Sequence, residues 1–326
     1  MKLIVGLFIF CVTLFLYLHV TFQLRTSNDL DVYEIDANSK DRLEEICDVR
    51  QPVMFEYSNP TVLRDITLGQ LTKRFSAFDV NMRTLSETDD DSLYSPVPMR
   101  SATKLFGVDS EKKYFSENNN MFLTDTGGIK SMSYHDEFLR PYMVSNCNYD
   151  VLFGSMGVTT PMRYEVNYRN YFYVTEGDIE IRMAPPKNSK YMMEHSDYIN
   201  YEFRSPINPW NVQDEYMLDF DKVKCVDIKA TKGKMVYIPA YWWYSIKFGK
   251  NTTVACFRYR TYMNNISIIP RICMYFFQQQ NLLHDGVKSK IGKEVTYDDD
   301  DDVKNTKEGA ANPTVESEKE EKNDTI

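Results

Sequence analysis

Lys232 to Tyr259 reads KGKMVYIPAYWWYSIKFGKNTTVACFRY, and this stretch decides the fold. Both halves are dense in β-branched and aromatic residues, as pleated, half-buried strands require. Phe248-Gly249-Lys250-Asn251 separates them as a hairpin turn. Moving outward, the same texture extends from Tyr149 to Tyr262, through VNYRNYFYVT (166–175), KCVDIKA (224–230) and TTVACFRYRTY (252–262). ITLGQLTKRFSAF from Ile66 has helical apolar spacing, and SETDDDSLYSPVP from Ser86 reads as a loop. MNNISIIPRICMYFFQQQNLLHDG from Met263 reads as helix, with Pro270 near a helix start. The expectation is a mostly β chain with flanking helices.

A second segment sharpens this. Gly157 to Pro186 reads GVTTPMRYEVNYRNYFYVTEGDIEIRMAPP. Together the two segments resemble the cupin-like JmjC domain family, especially its factor-inhibiting-HIF type of hydroxylase. Asn170, Gly177, Pro185 and Pro186 match that family's first segment in mutual spacing. Ile238, Pro239, Trp242 and Trp243 match the second. The resemblance covers roughly residues 41–285. It implies a double-stranded β-helix, a jelly roll of antiparallel strands. It also implies Fe(II) and 2-oxoglutarate oxygenation, with the metal held by two His and one carboxylate. A His-x-Asp pair can share a metal because residues i and i+2 of a strand lie on one face.

Each ligand position departs from that pattern. His-x-Asp is replaced by Arg163-Tyr164-Glu165, and the distal His by Tyr244. The Lys that holds the co-substrate falls at Ile179. One extra residue lies between Arg163 and Asn170, and slipping the register would offer Tyr164 and Val166 instead. Arginine stays protonated and offers no lone pair to a metal. The expectation is therefore a degenerate oxygenase fold with no catalytic residue, no metal ligand and no cofactor. Fe(II) and 2-oxoglutarate with atypical ligands such as Glu165, His195 or Asp197 is the alternative. Thr160, Asn170 and Trp243 are the remaining pocket candidates. A barrel that has lost its metal needs a cation to balance its carboxylates, because an unpaired buried charge is costly. Arg163 facing inward, paired with Glu165 and beside the Tyr244 hydroxyl, would supply it. The competing arrangement turns Arg163 outward and fills the pocket with aromatics.

Residues 3–22, LIVGLFIFCVTLFLYLHVTF, are 20 uncharged residues. As a helix they span roughly 30 Å, a bilayer's hydrocarbon thickness. The run exceeds a typical signal-peptide core, and the sequence after it offers no good cleavage site. Residues 1–25 are read as a transmembrane signal-anchor, 26–40 as a stalk, 41–285 as the domain and 286–326 as an acidic disordered tail. The default orientation is type II, with the domain lumenal or extracellular. From Glu294 to Ile326 there are 12 acidic and 4 basic residues, net −8. The whole chain has 47 acidic and 38 basic residues, net −9, leaving −1 for the first 293. A near-neutral domain is a poor nucleic-acid binder. The expected partners are the membrane, through residues 3–22, and a protein or glycan ligand; residues 263–284 could form a homodimer.

Other signals are weaker. His195-Ser196-Asp197 imitates His-x-Asp but reads as a solvated loop. His135-Asp136-Glu137 resembles a helix start. Asn251, Asn265 and Asn323 fit the N-glycosylation triplet, and Asn251 falls in the hairpin turn. The cysteines show no disulfide framework.

Overall fold

The computed structural model describes residues 2–36, 38–84, 94–198 and 200–280. The expected tail, and the Asn323 triplet within it, lie outside the described residues. Strands before the barrel are β1 (Tyr33–Ile35), β2 (Val53–Glu56), β3 (Asp79–Thr84), β4 (Ser95–Pro98) and β5 (Tyr114–Ser116). The barrel follows: β6 (Val144–Gly154), β7 (Arg163–Tyr164), β8 (Arg169–Glu176), β9 (Asp178–Ala184), β10 (His195–Asp197), β11 (Glu202–Arg204), β12 (Val226–Thr231), β13 (Lys234–Ile238), β14 (Trp243–Phe248) and β15 (Thr252–Thr261).

Among the described residues these strands form two sheets. One runs β1-β2-β13-β8-β15-β6-β5-β3-β4, the other β10-β11-β7-β14-β9-β12. The chain alternates between them: β6, β8, β13 and β15 lie in the first, and β7, β9, β12 and β14 in the second. Every pairing among these eight strands is antiparallel. Apart from β9 to β12, which stay in the second sheet, this alternation is the jelly-roll winding that the family resemblance implies.

Strand period places the side chains. On β8, Phe172 and Val174 enter the barrel core, while Tyr171 and Tyr173 face the helical layer. On β15 the same split separates Val254 and Cys256 from Ala255, Phe257 and Tyr259. From the opposite sheet Ile179, Ile181 and Met183 (β9) and Tyr244, Ile246 and Phe248 (β14) close the interior. Gly154 sits where the layers nearly touch, since an added Cβ would lie 2.7 Å from the Phe248 ring.

Several expectations need correction. The segment read as a stalk is tied to the barrel: β1 pairs with β2 in parallel, Tyr33 opposite Val53. Ser95–Pro98 of the expected loop is strand β4; residues 85–93 lie outside the described residues. His195–Asp197 is an edge strand because β11 offers it a ladder, with His195 opposite Arg204. His135–Glu137 is turn rather than helix start. The helix expected from Met263 is broken: Tyr262–Ser267 ends at Ile268, and helix resumes over 269–280, with Pro270 in its first turn. The helix read from Ile66 spans Leu68–Arg74, capped by the Thr67 side chain on the Gln70 N–H.

The N-terminal helix runs Lys2–Leu24, with a mean hydropathy of 2.5 over its most apolar window and none of that window buried. It is long and apolar enough to cross a membrane. All six cysteines are free thiols.

Candidate functional site

β7 and β14 bring two of the sequence candidates together, with Arg163 directly opposite Tyr244. Tyr244 is an interior residue, and Arg163 shares its face. Tyr164 takes the other face, packing with Trp243 and Phe203. The arrangement with Arg163 turned outward is therefore not the one the chain adopts. The guanidinium lies 5.8 Å from the Tyr244 ring centroid and is 5% exposed.

The partner of Arg163 is not the one expected. It binds Glu117, which follows β5, through Nη1 at 2.9 Å and through a second, shorter contact from Nη2. It also reaches Glu202 of β11 at 3.2 Å. Arg83 of β3 joins from the other side, donating to Glu117 at 2.8 Å and to Glu202 at 3.0 Å. Two guanidiniums and two carboxylates thus interlock, Arg204 approaches Glu202 at 3.9 Å, and Tyr94 donates to Glu117 at 2.9 Å. Burial favours the neutral acid at Glu117, but Arg163 and Arg83 hold it well below the usual carboxylate range. Burial also opposes the charge on Arg163, and Glu117, Tyr244 and Glu202 raise its pKa far above the ordinary value.

Glu165 belongs to a second group. It accepts from the Tyr244 hydroxyl at 3.2 Å and lies 3.4 Å from Nε of Arg258. Arg258 also donates to Asp150 at 3.2 Å. Burial raises the Tyr244 pKa well above its usual value, and Glu165 adds to this. The pairing of Arg163 with Glu165 fails because Glu117, just past β5, and Glu202 of β11 offer closer carboxylates from segments distant in sequence.

Both groups face a cavity of about 280 Å³ at the barrel mouth. Its floor is set by strand register: Arg258 lies opposite Asn148, and Arg260 opposite Asn146. Asn118, Asn167 and Asn200 supply further amides, and Tyr94, Tyr164 and Tyr201 supply rings. Arg260 donates to Asn167 at 2.6 Å and lies 5.2 Å from the Tyr201 centroid. Each amide offers both donors and an acceptor, and each guanidinium a planar fork of donors. The cavity suits a polar ligand with many hydroxyl or carbonyl groups.

The sequence candidates divide. Arg163 and Glu165 line the cavity, and Tyr244 lies beneath them. Asn170 is buried behind it, accepting from Asn167 and donating to the Ile238 carbonyl. Thr160 fastens strands, accepting from the Ile246 N–H while its carbonyl accepts from Ser245. Trp243 faces outward and donates to Ser189. Ile179 is an apolar core residue, so its position offers no cation to a co-substrate. Asn251 is exposed in the β14–β15 turn, whereas the Asn265 amide donates to Ser145. Glu117, Glu202, Arg83 and Arg258 were missed. Arg258 and Arg260 carried a usable signal, two cations at i and i+2 in an apolar strand.

A ferrous ion held by two histidines and a carboxylate does not fit these residues. The implied positions present a guanidinium locked by two acids, a tyrosine and one glutamate already engaged. Among the described residues no three His, Cys, Asp or Glu side chains are grouped to hold a metal. His195 is exposed on an edge strand, and Asp197 accepts from the Asn200 backbone and side chain.

Comparison with known families gives the class. Residues 70–265, more than half of the chain, match the model of the cupin-like domain. The chain belongs to the cupin-like domain family. No curated protein matches it.

Proposed function

We propose that this chain is a membrane-anchored binding module built on a degenerate JmjC-type cupin barrel. Its barrel mouth takes a small polar ligand, of glycan type, in place of Fe(II) and 2-oxoglutarate chemistry. One observation carries the reading: at the position implied for the first metal-binding histidine, Arg163 is buried and clamped by Glu117 and Glu202. A cation fixed there repels a metal ion and neutralises the acids that would attract one. The asparagines and Arg260 above it remain as the recognition surface, and planar donors beside tyrosine rings match the alternating hydroxyl and C–H faces of a sugar. The helix Lys2–Leu24 holds the module at a bilayer as a type II anchor, with the barrel lumenal or extracellular. Residues 263–284 remain the candidate self-association segment; those beyond 280 lie outside the described residues.

The test is glycan-array binding by the full chain in nanodiscs, compared with Asn148→Ala and Arg260→Ala. A saturable glycan signal lost in both variants is expected. Equal signals in wild type and variants would remove the cavity from the account.

A further inference from the structure

A second cavity, of about 350 Å³, lies where the N-terminal helix ends. Phe22, Arg25, Thr26, Asp48 and Arg50 line it. Arg50 is the unusual member. It is 4% exposed and takes a left-handed backbone, φ 60°. Its Nη1 donates to the Gln23 carbonyl at 2.9 Å, the helix's C-terminal end. Its carbonyl accepts from the Ser27 N–H and the Thr26 hydroxyl, which fixes the chain as it leaves the helix. The guanidinium carbon lies 4.8 Å from the Phe22 centroid and 5.0 Å from that of Tyr168. Nε and Nη2 of Arg50 are buried and, among the described residues, have no hydrogen-bond acceptor.

Charge makes the site specific. Asp48, the acid in this cavity, is taken by Arg169 Nη2 at 2.6 Å and by the Tyr168 hydroxyl at 3.0 Å. Glu44 also binds Arg169, at 3.0 Å. Arg25, Arg50 and Arg169 therefore face two carboxylates, both spent on Arg169. Arg25 is exposed at the rim. A buried cation with idle donors beside an exposed one is a receptor for an anion with several acceptor oxygens. Depth names the source. Phe22 closes the apolar run, and the helix carries the chain two residues further, about 3 Å, to Leu24, with Arg25 next. That is the layer in which headgroup phosphates lie.

We propose that Arg25 and Arg50 bind the phosphate of an anionic phospholipid headgroup at the exit of the membrane helix. The bound lipid fixes the barrel's seating on the bilayer. The site rests on the anchor reading of the helix but not on the barrel-mouth ligand.

The test titrates the full chain, in nonionic micelles, with dihexanoyl phosphatidic acid and separately with inorganic phosphate. Saturable lipid binding, at least tenfold tighter than phosphate, is expected. Arg25→Gln should weaken it about tenfold, the usual worth of a charged hydrogen bond. This variant is at an exposed position, so folding is not at issue; Arg50→Lys is the second and should weaken binding further. No saturable lipid binding, or an unchanged Arg25→Gln, would overturn the proposal. Equal affinity for phosphate would overturn the lipid assignment. Carbonate extraction of membranes checks the anchor separately: release of the chain would overturn the lipid source, independently of the micelle titration.

Discussion

Glu117→Gln keeps shape and removes one charge from the interlocked group of Arg83, Arg163, Glu117 and Glu202. The Glu117 side chain is 2% exposed, and those of Arg83 and Arg163 are 3% and 6% exposed. Solvent therefore cannot replace the lost carboxylate. Removing one partner of a buried ion pair costs about 3–5 kcal/mol. At about 2–4 °C per kcal/mol for a domain of this size, Tm should fall by roughly 6–20 °C. Glu202 still serves both guanidiniums at 3.0 and 3.2 Å, which favours the lower half of that range. The companion change Arg163→Met removes the opposing charge. A double-mutant cycle on these two positions should show coupling of at least about 1.5 kcal/mol, the double variant falling well short of the sum. The assay is thermal unfolding of the full chain at pH 7, with near-UV dichroism to confirm the native fold. A cost below about 1 kcal/mol for Glu117→Gln, or additive losses in the cycle, would refute the reasoning.

Other outcomes follow from the same geometry. The folded-state pKa of Glu117 lies below the ordinary 4.5, so its stabilisation is complete above that pH and is lost as pH falls toward the folded value. Between pH 6 and 3, wild type should lose stability faster than Glu117→Gln by up to about 1.4 kcal/mol per pH unit, read as the difference in Tm. Tyr244→Phe deletes the 3.2 Å bond to Glu165 and should cost about 1 kcal/mol in the same melt. If the barrel is lumenal, Asn251→Gln should remove one step of a glycosidase-sensitive gel shift and Asn265→Gln should remove none, because the Asn265 amide is engaged by Ser145.

The strand framework was legible because it depends on local signals. Val, Ile and aromatic alternation located β8, β13, β14 and β15, and Gly249 with Asn251 located the hairpin. The facing of Arg163 and Tyr244 was legible in part, since matching two segments to one winding fixed which strands meet. The partners of Arg163 were not. Glu117 is 46 residues away and Glu202 is 39. Nothing in either neighbourhood distinguishes a carboxylate that will be buried from one that stays in water. β10 was misread for a related reason: His-Ser-Asp has little strand propensity, and the β11 edge supplied what the sequence lacked. The tie between β1 and β2 likewise belongs to pairing rather than to composition.

An arginine clamp stands where the family resemblance implies a metal-binding histidine. Its most direct test is to express the full chain in iron-replete cells, purify it anaerobically, and measure bound metal with 2-oxoglutarate-dependent succinate formation. The account predicts far less than one iron per chain and no succinate above background, even with added Fe(II). Stoichiometric iron together with co-substrate-dependent succinate release would contradict it.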